Sequence, residues 1–409
     1  MPRPRPAASS APRVSMGEPS IEPVDVRAVA EVVRSGQLAL GARSAAFERT
    51  LAEYVGARHA IAVSSGTAGL HLAAIAAGIR PGDEVVTTPF SFIASTNCFI
   101  YEGARPVFAD IDPDTLMPDA ASLSAALTPR TRAILMVHVF GDPADADAYR
   151  SVADRHGIAL LEDACEALGS EYKGRRAGTL GDVGVFGFYP NKQITTGEGG
   201  MIVTDRKDWD ALFRSLRNQG RDVHAAWLTH ARVGFNYRLD EMSAALGLSQ
   251  LGRIDRLITA RERVARAYTQ RLSRISGVEP PRPIATTTRM SRFAYVIRLE
   301  KGLRRDVVMR GLEERGIPTR AYFSPLHLQP AYRERFGFKK GQFPVTEDVA
   351  ERCVALPFHA RMNAQQVEAV CGALEEVIAS RGARRTTRPA RPVASGRPRG
   401  QRAAASGRR

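Results

Sequence analysis

At 409 residues and 44% apolar content, the chain is long enough for one large domain and a smaller one, each with its own core. No run of 18 or more apolar residues is present, and Met1–Arg13 carries Pro and Arg without an apolar stretch, so neither a membrane-spanning helix nor a secretory leader is expected. The net charge of +15 sits mostly at the ends: Arg3, Arg5 and Arg13 precede the first acid, Glu18, and ten arginines with no acid lie between Arg381 and Arg409, leaving about +2 for the body.

Residues 17–53 read as N-terminal helices, with Val24–Arg34 apolar at a spacing near 3.6. Strands and helices then alternate. Strands are predicted at His59–Val63, Glu84–Thr88, Pro106–Asp110, Thr131–Val139, Ile158–Glu162, Val183–Phe188 and Gly200–Thr204. Helices are predicted between them at Thr67–Ala77, Ser91–Tyr101 and Asp145–His156. This alternation implies βαβ crossovers and a largely parallel sheet covered on both faces.

A long helical stretch follows at Glu241–Leu251 and Arg256–Leu272, and the break at Pro280-Pro-Arg-Pro283 opens a smaller α+β unit. That unit is predicted to hold a strand at Phe293–Leu299, a helix at Arg304–Arg315 and a last helix at Asn363–Ala379. The expected division is an N-terminal extension over 1–15, a large α/β domain over 16–254, a connection and small domain over 255–379, and a tail over 380–409. The tail is rich in Arg, Pro, Gly, Ala and Ser, and it reads as a disordered, solvated extension. Contact with nucleic acid is the alternative reading for it.

Cys98, Cys165, Cys353 and Cys371 are widely spaced and form no CxxC pair, so reduced thiols and a cytoplasmic location are expected. The eight histidines form neither HExxH nor a Cys/His cluster, so no metal site is expected.

Three motifs fall at predicted carboxyl ends of strands, where open parallel sheets bind ligands. Ser64-Ser-Gly-Thr-Ala-Gly69 is a small-residue turn leading into a helix, a natural phosphate seat that on its own reads equally as an ordinary helix cap. Leu160-Leu-Glu-Asp163 ends an apolar strand in two carboxylates; a protonated heterocycle nitrogen would pair with one, and so would an arginine. Lys192 lies in an irregular run closed by Gly197-Glu-Gly-Gly200. Only six of the 58 basic residues are lysines, and arginine cannot replace a lysine that must lose its proton to attack a carbonyl. A phosphate seat, a strand-end acid and a loop lysine in this order fit pyridoxal 5′-phosphate (PLP).

Nine segments carry a resemblance. They are Ser64-Ser-Gly-Thr67, Thr88-Pro-Phe-Ser-Phe92, Pro106-Val-Phe-Ala-Asp-Ile-Asp112, Glu162-Asp-Ala164, Pro190-Asn-Lys192, Thr195-Thr-Gly-Glu-Gly-Gly200, Gly234-Phe-Asn-Tyr-Arg238, Glu241-Met-Ser-Ala-Ala-Leu-Gly-Leu-Ser-Gln250 and Pro325-Leu-His327. In this order, from about Met16 to Ala379, the chain resembles the sugar aminotransferases of the DegT/DnrJ/EryC1/StrS family. The resemblance implies the PLP-dependent fold type I: a large domain with a mostly parallel mixed sheet covered by helices, and a smaller C-terminal α+β domain.

It also implies roles. Lys192 would carry the cofactor and shuttle protons, and Asp163 would hold its ring nitrogen protonated. Gly66 and Thr67 would bind its phosphate, and Phe92 would stack on its ring. Asn236 would reach the phosphate of a partner subunit's cofactor, with Arg238 near that shared site, making a homodimer with shared sites. Two positions depart from the commonest pattern: Gly187 replaces a serine that bonds the phosphate, and Glu166 replaces a histidine or glutamine near the ring or its 3′-oxygen. Tyr322 and His327 are the candidates for the sugar pocket. The activity implied is transfer of an amino group, from glutamate by family habit, to a nucleotide-linked keto-sugar for glycans or glycosylated metabolites. The alternatives are a PLP-dependent sugar dehydratase, against which Lys192 stands because that branch carries histidine there, a transaminase of carbocyclic rings, and a non-catalytic regulatory or nucleic-acid-binding relative.

Overall fold

The computed structural model describes residues 13–222 and 229–386. Its centre is a seven-stranded sheet in the order His59–Val63, Gly200–Thr204, Val183–Gly187, Ala159–Asp163, Thr131–Val137, Glu84–Thr87, Arg105–Phe108. Gly200–Thr204 runs antiparallel to both its neighbours, and the other adjacent pairs are parallel, giving the mostly parallel mixed sheet that the resemblance implies. Its inner strands are short unbroken apolar runs because both faces are covered: Val85, Val86, Ile134, Leu135, Leu160, Leu161, Val185 and Ile202 are all buried.

Strand positions agree with the sequence reading to within one or two residues. The segment Ser91–Tyr101 is helical only over Ala94–Ile100. Four helices went unread: Ala120–Ala126, Lys207–Leu216, Pro330–Phe336 and Pro344–Arg352. So did the strand Cys353–Leu356. The N-terminal helices Pro23–Ser35 and Ala42–Val55 each stop at a glycine in the left-handed region, Gly36 and Gly56, which L side chains disfavour.

The helix Ile254–Leu272 leads into the small domain, whose antiparallel sheet has the order Val278–Glu279, Tyr295–Leu299, Cys353–Leu356. Tyr268, Tyr295, Leu312, Val370 and Leu374 fill the core between this sheet and its helices. A further small sheet joins Thr287–Arg289 to Glu171–Tyr172 and Arg175–Arg176, bonding the two domains together.

Val14 is buried in the small-domain core, and Phe358 N–H donates to Met16 O at 3.1 Å. The packed chain therefore starts before the expected boundary at 16. The last helix runs over Ala364–Thr386, past the expected end at Ala379. The rest of the extension and tail, 1–12 and 387–409, lies outside the described residues. Among the described residues no helix is long and apolar enough to cross a membrane, and no His/Cys/Asp/Glu group is arranged to hold a metal.

Candidate active site

The parallel strands direct their carboxyl ends to one edge of the sheet, and there a cavity of about 740 Å³ opens between the two domains. Gly66, Thr67, Phe92, Asp163, Glu166, Gly187, Lys192 and Tyr322 all line it.

The first wall is the turn after strand His59–Val63. Ser65 caps the helix Gly66–Ala76, its Oγ accepting from Ala68 N–H at 3.0 Å. The leading N–H groups of a helix have no partner within it, so those of Gly66 and Thr67 suit an anion. Glycine is required at 66 by close approach: a Cβ there would stand 2.8 Å from Cys165 Sγ and 3.4 Å from Gly187 Cα. A Cβ on Gly200 would meet the Ser65 carbonyl at 2.6 Å, so backbone packs on backbone and the turn is fixed. A Cβ on Gly187 would make an ordinary 3.4 Å contact with Cys165 Sγ. The missing serine hydroxyl at 187 is therefore not a steric necessity.

The second wall is the end of strand Ala159–Asp163. Side chains alternate along a strand, so its two terminal acids face opposite ways. Asp163 faces the cavity; its Oδ2 accepts from Ser95 Oγ at 2.6 Å and its Oδ1 from Cys165 N–H at 3.1 Å. It is buried, with no cation within ion-pair distance among the described residues, so it suits a protonated ring nitrogen. Glu162 turns inward and is fully buried, accepting from His138 Nε2 at 2.6 Å, Leu180 N–H at 2.8 Å and Gly181 N–H at 3.0 Å, and also from Gly178 N–H. His138 Nδ1 accepts from Ala144 N–H at 3.1 Å, which leaves the ring proton on Nε2 for Glu162. This second acid is structural.

Lys192 follows strand Val183–Gly187 on a turn closed by its N–H to Tyr189 O at 2.9 Å. Its Nζ lies 3.6 Å from Glu166 Oε1 and 4.0 Å from the centre of the Phe293 ring. Glu166 Oε2 accepts from Phe140 N–H at 2.9 Å. Burial pushes the Glu166 carboxyl up to about 7, although Lys192 and the Phe140 amide favour its charged form. Burial and the nearby Asp163 charge raise the Cys165 thiol as well, so it is no nucleophile at neutral pH.

Phe92 is 61% exposed on the cavity rim, so it is not a core aromatic. Tyr322 stands beside Phe293 and Phe140 with its ring parallel to both. His327 does not reach the cavity. Its neighbour Leu326 does, but the turn Leu326–Leu328 sends His327 inward, where it is fully buried with Nε2 2.9 Å from Glu347 Oε1 and its ring against Phe343. The expectation that it lines a sugar pocket is corrected accordingly. Asn236 and Arg238 also lie outside this chain's own cavity: Asn236 is exposed, and Arg238 Nη1 donates to Asn218 Oδ1 at 2.9 Å.

Sequence reasoning missed Ser95, Tyr189 and Phe293. Ser91 and Ser95 stand four residues apart and bond each other at 2.8 Å, so spacing held a signal for Ser95. Tyr189 and Phe293 gave none beyond being aromatic.

A PLP phosphate fits the Gly66–Thr67 turn, Asp163, which has no cationic partner among the described residues, fits its ring nitrogen, and among the described residues Lys192 is the only lysine on the cavity wall. The comparisons agree. The DegT/DnrJ/EryC1/StrS aminotransferase family matches residues 19–375. GDP-perosamine synthase of Caulobacter vibrioides is 41% identical over 379 residues, covering 90% of this chain and all of that protein. The spore coat polysaccharide biosynthesis protein SpsC of Bacillus subtilis is 37% identical, covering 88% of this chain and 96% of its own. The aminotransferase TlmJ of Streptoalloteichus hindustanus superposes with a TM-score of 0.84 at 34% identity, over 90% of this chain and all of that one. The chain belongs to the DegT/DnrJ/EryC1/StrS family and is a PLP-dependent sugar aminotransferase.

Proposed function

We propose that the enzyme transfers an amino group from glutamate to a nucleotide-linked keto-sugar, with the product a GDP-linked amino sugar such as GDP-perosamine. One observation carries the assignment of residues: the Gly66–Thr67 turn, Asp163 and Lys192 meet on a single cavity wide enough for a cofactor and a substrate together. The similarity to GDP-perosamine synthase along its full length supports the acceptor.

Bound PLP supplies an electron sink for the carbon bearing the amino group. The chain supplies the rest. Gly66 and Thr67 hold the phosphate, and Asp163 keeps the ring nitrogen protonated. Phe92 packs on the ring face, and Glu166 stands near the 3′-oxygen. Lys192 Nζ takes the α-proton of glutamate in one half-reaction and protonates the sugar carbon in the other. Tyr322 meets the sugar nucleotide. Asn236 and Arg238 complete the cavity of a second copy, so the active unit is a homodimer. The four free cysteines are in keeping with a cytoplasmic enzyme.

Transamination is reversible, so the test runs it backwards. Purified protein mixed with GDP-perosamine and 2-oxoglutarate should produce glutamate, and the Lys192→Ala variant should produce none. No glutamate from GDP-perosamine would refute the acceptor, and turnover by the variant would refute the role of Lys192.

A further inference from the structure

Arg261 lies on the helix Ile254–Leu272 and is only 4% exposed, yet no carboxylate comes within ion-pair distance of it among the described residues. Burial pushes its guanidinium down to about 10. A buried cation without a counter-ion weakens a fold unless its protons find other acceptors. Here backbone carbonyls accept from both terminal nitrogens, while the buried Nε has no partner. Nη2 donates to Lys192 O at 2.7 Å and to Asn191 O at 3.2 Å, while Nη1 donates to Phe293 O at 3.3 Å and to Arg292 O at 3.5 Å.

These carbonyls belong to two different segments. Asn191–Lys192 leaves the large sheet, whereas Arg292–Phe293 leads into the small-domain strand Tyr295–Leu299. The Phe293 ring is the surface on which Lys192 Nζ rests, at 4.0 Å. Gln193 makes a parallel tie, its Nε2 donating to Glu166 O at 2.7 Å and Ser291 O at 2.9 Å. Phe293 N–H in turn donates to Phe140 O at 3.2 Å, and Phe140 N–H to Glu166. The lysine, its aromatic seat and its acidic neighbour thus form one bonded frame across the domain boundary.

We propose that Arg261 is a positioning residue, whose guanidinium fork joins the carbonyl of Lys192 to that of Phe293 and so fixes Nζ on the cavity wall and couples it to the first segment of the small domain. The inference rests on the catalytic reading of Lys192. A planar guanidinium presents donors on two nitrogens, whereas a lysine ammonium is a single point that reaches one segment or the other. Charge alone therefore does not substitute.

Arg261→Lys and Arg261→Met separate positioning from packing. In cofactor-free protein, amide hydrogen exchange should accelerate over 190–194 and 292–294 while the central strands stay protected. With PLP bound, the visible circular dichroism of the cofactor should weaken in both variants. Displacing a reacting group by a fraction of an ångström to an ångström costs up to about 10²-fold in rate, so kcat should fall about 10- to 100-fold with KM for the sugar nucleotide little changed. Wild-type exchange and kcat within about twofold in Arg261→Lys would overturn the proposal, as would exchange that rises uniformly across the molecule with kcat unchanged. Lys192→Ala is the separating control. Turnover by that variant defeats the catalytic reading itself, whereas an inactive Lys192→Ala beside a normal Arg261→Lys defeats only the positioning role.

Discussion

Replacing Glu166 by glutamine should make the cofactor-free protein progressively more stable, relative to wild type, as pH rises from about 5 to about 8. Glu166 is held against the Phe140 amide and 3.6 Å from Lys192 Nζ, with its side chain 12% exposed. Asp163, Cys165 and Tyr322 are the other titratable groups that interact with it electrostatically. Burial is the largest influence and moves its carboxyl from 4.5 to about 7. Below 4.5 the group is protonated in both the folded and the unfolded chain and contributes nothing to the pH dependence. Between 4.5 and about 7 the unfolded chain releases the proton that the folded chain retains, so wild-type stability falls; above 7 the loss is complete. At about 1.4 kcal/mol per pH unit, that interval is worth up to about 3 kcal/mol. Glutamine does not titrate, and any pH-independent cost of the replacement cancels when the two pH values are compared. Urea unfolding of both proteins at one fixed protein concentration measures the difference. A stability difference that is the same at both pH values would refute the argument, because Glu166 would then be ionised in the fold like a surface acid.

Gly66→Ala places a Cβ 2.8 Å from Cys165 Sγ and forces the phosphate turn to shift. Losing one charge-assisted hydrogen bond there, at about 1.5–3 kcal/mol, lowers PLP affinity about 10- to 100-fold in a spectrophotometric titration of cofactor-free protein. Glu162→Ala strips the acceptor from His138 Nε2 and from the amides of Gly178, Leu180 and Gly181, and should cost about 3–5 kcal/mol in urea unfolding although Glu162 does not line the cavity. Tyr322→Ala and His327→Ala should divide cleanly. The first raises KM for the sugar nucleotide, and the second lowers stability by about 1–3 kcal/mol through loss of the buried bond to Glu347, which keeps only the Gly341 amide, while leaving KM alone, as steady-state kinetics beside unfolding curves would show.

The sheet was legible because each buried strand is a short apolar run bounded by turn residues, as Leu160-Leu-Glu-Asp163 illustrates. Alternation along that same strand explains what the motif alone left open: of two adjacent acids, Asp163 faces the cavity and Glu162 the core. Lys192 stood out by its rarity among basic residues, whereas Arg261 is hidden among many arginines, and no sequence spacing reveals that it reaches carbonyls 69 and 32 residues away. His327 was misread because it sits beside Leu326, a true cavity residue, and the direction of a side chain within a short turn depends on tertiary packing. The two-residue strands of the interdomain sheet carry no period to detect. Asn236 and Arg238 carried a signal only through resemblance, since neither lines this chain's own cavity.

The central claim is that Lys192 carries PLP and drives amino transfer. The absorption spectrum of the purified protein, before and after glutamate, tests it most directly in wild type and Lys192→Ala. Wild type should show a visible cofactor band that glutamate bleaches and that 2-oxoglutarate restores, while the variant should show neither change on the turnover timescale. A wild-type protein without a cofactor band even after added PLP, or a variant that cycles like wild type, would contradict the account.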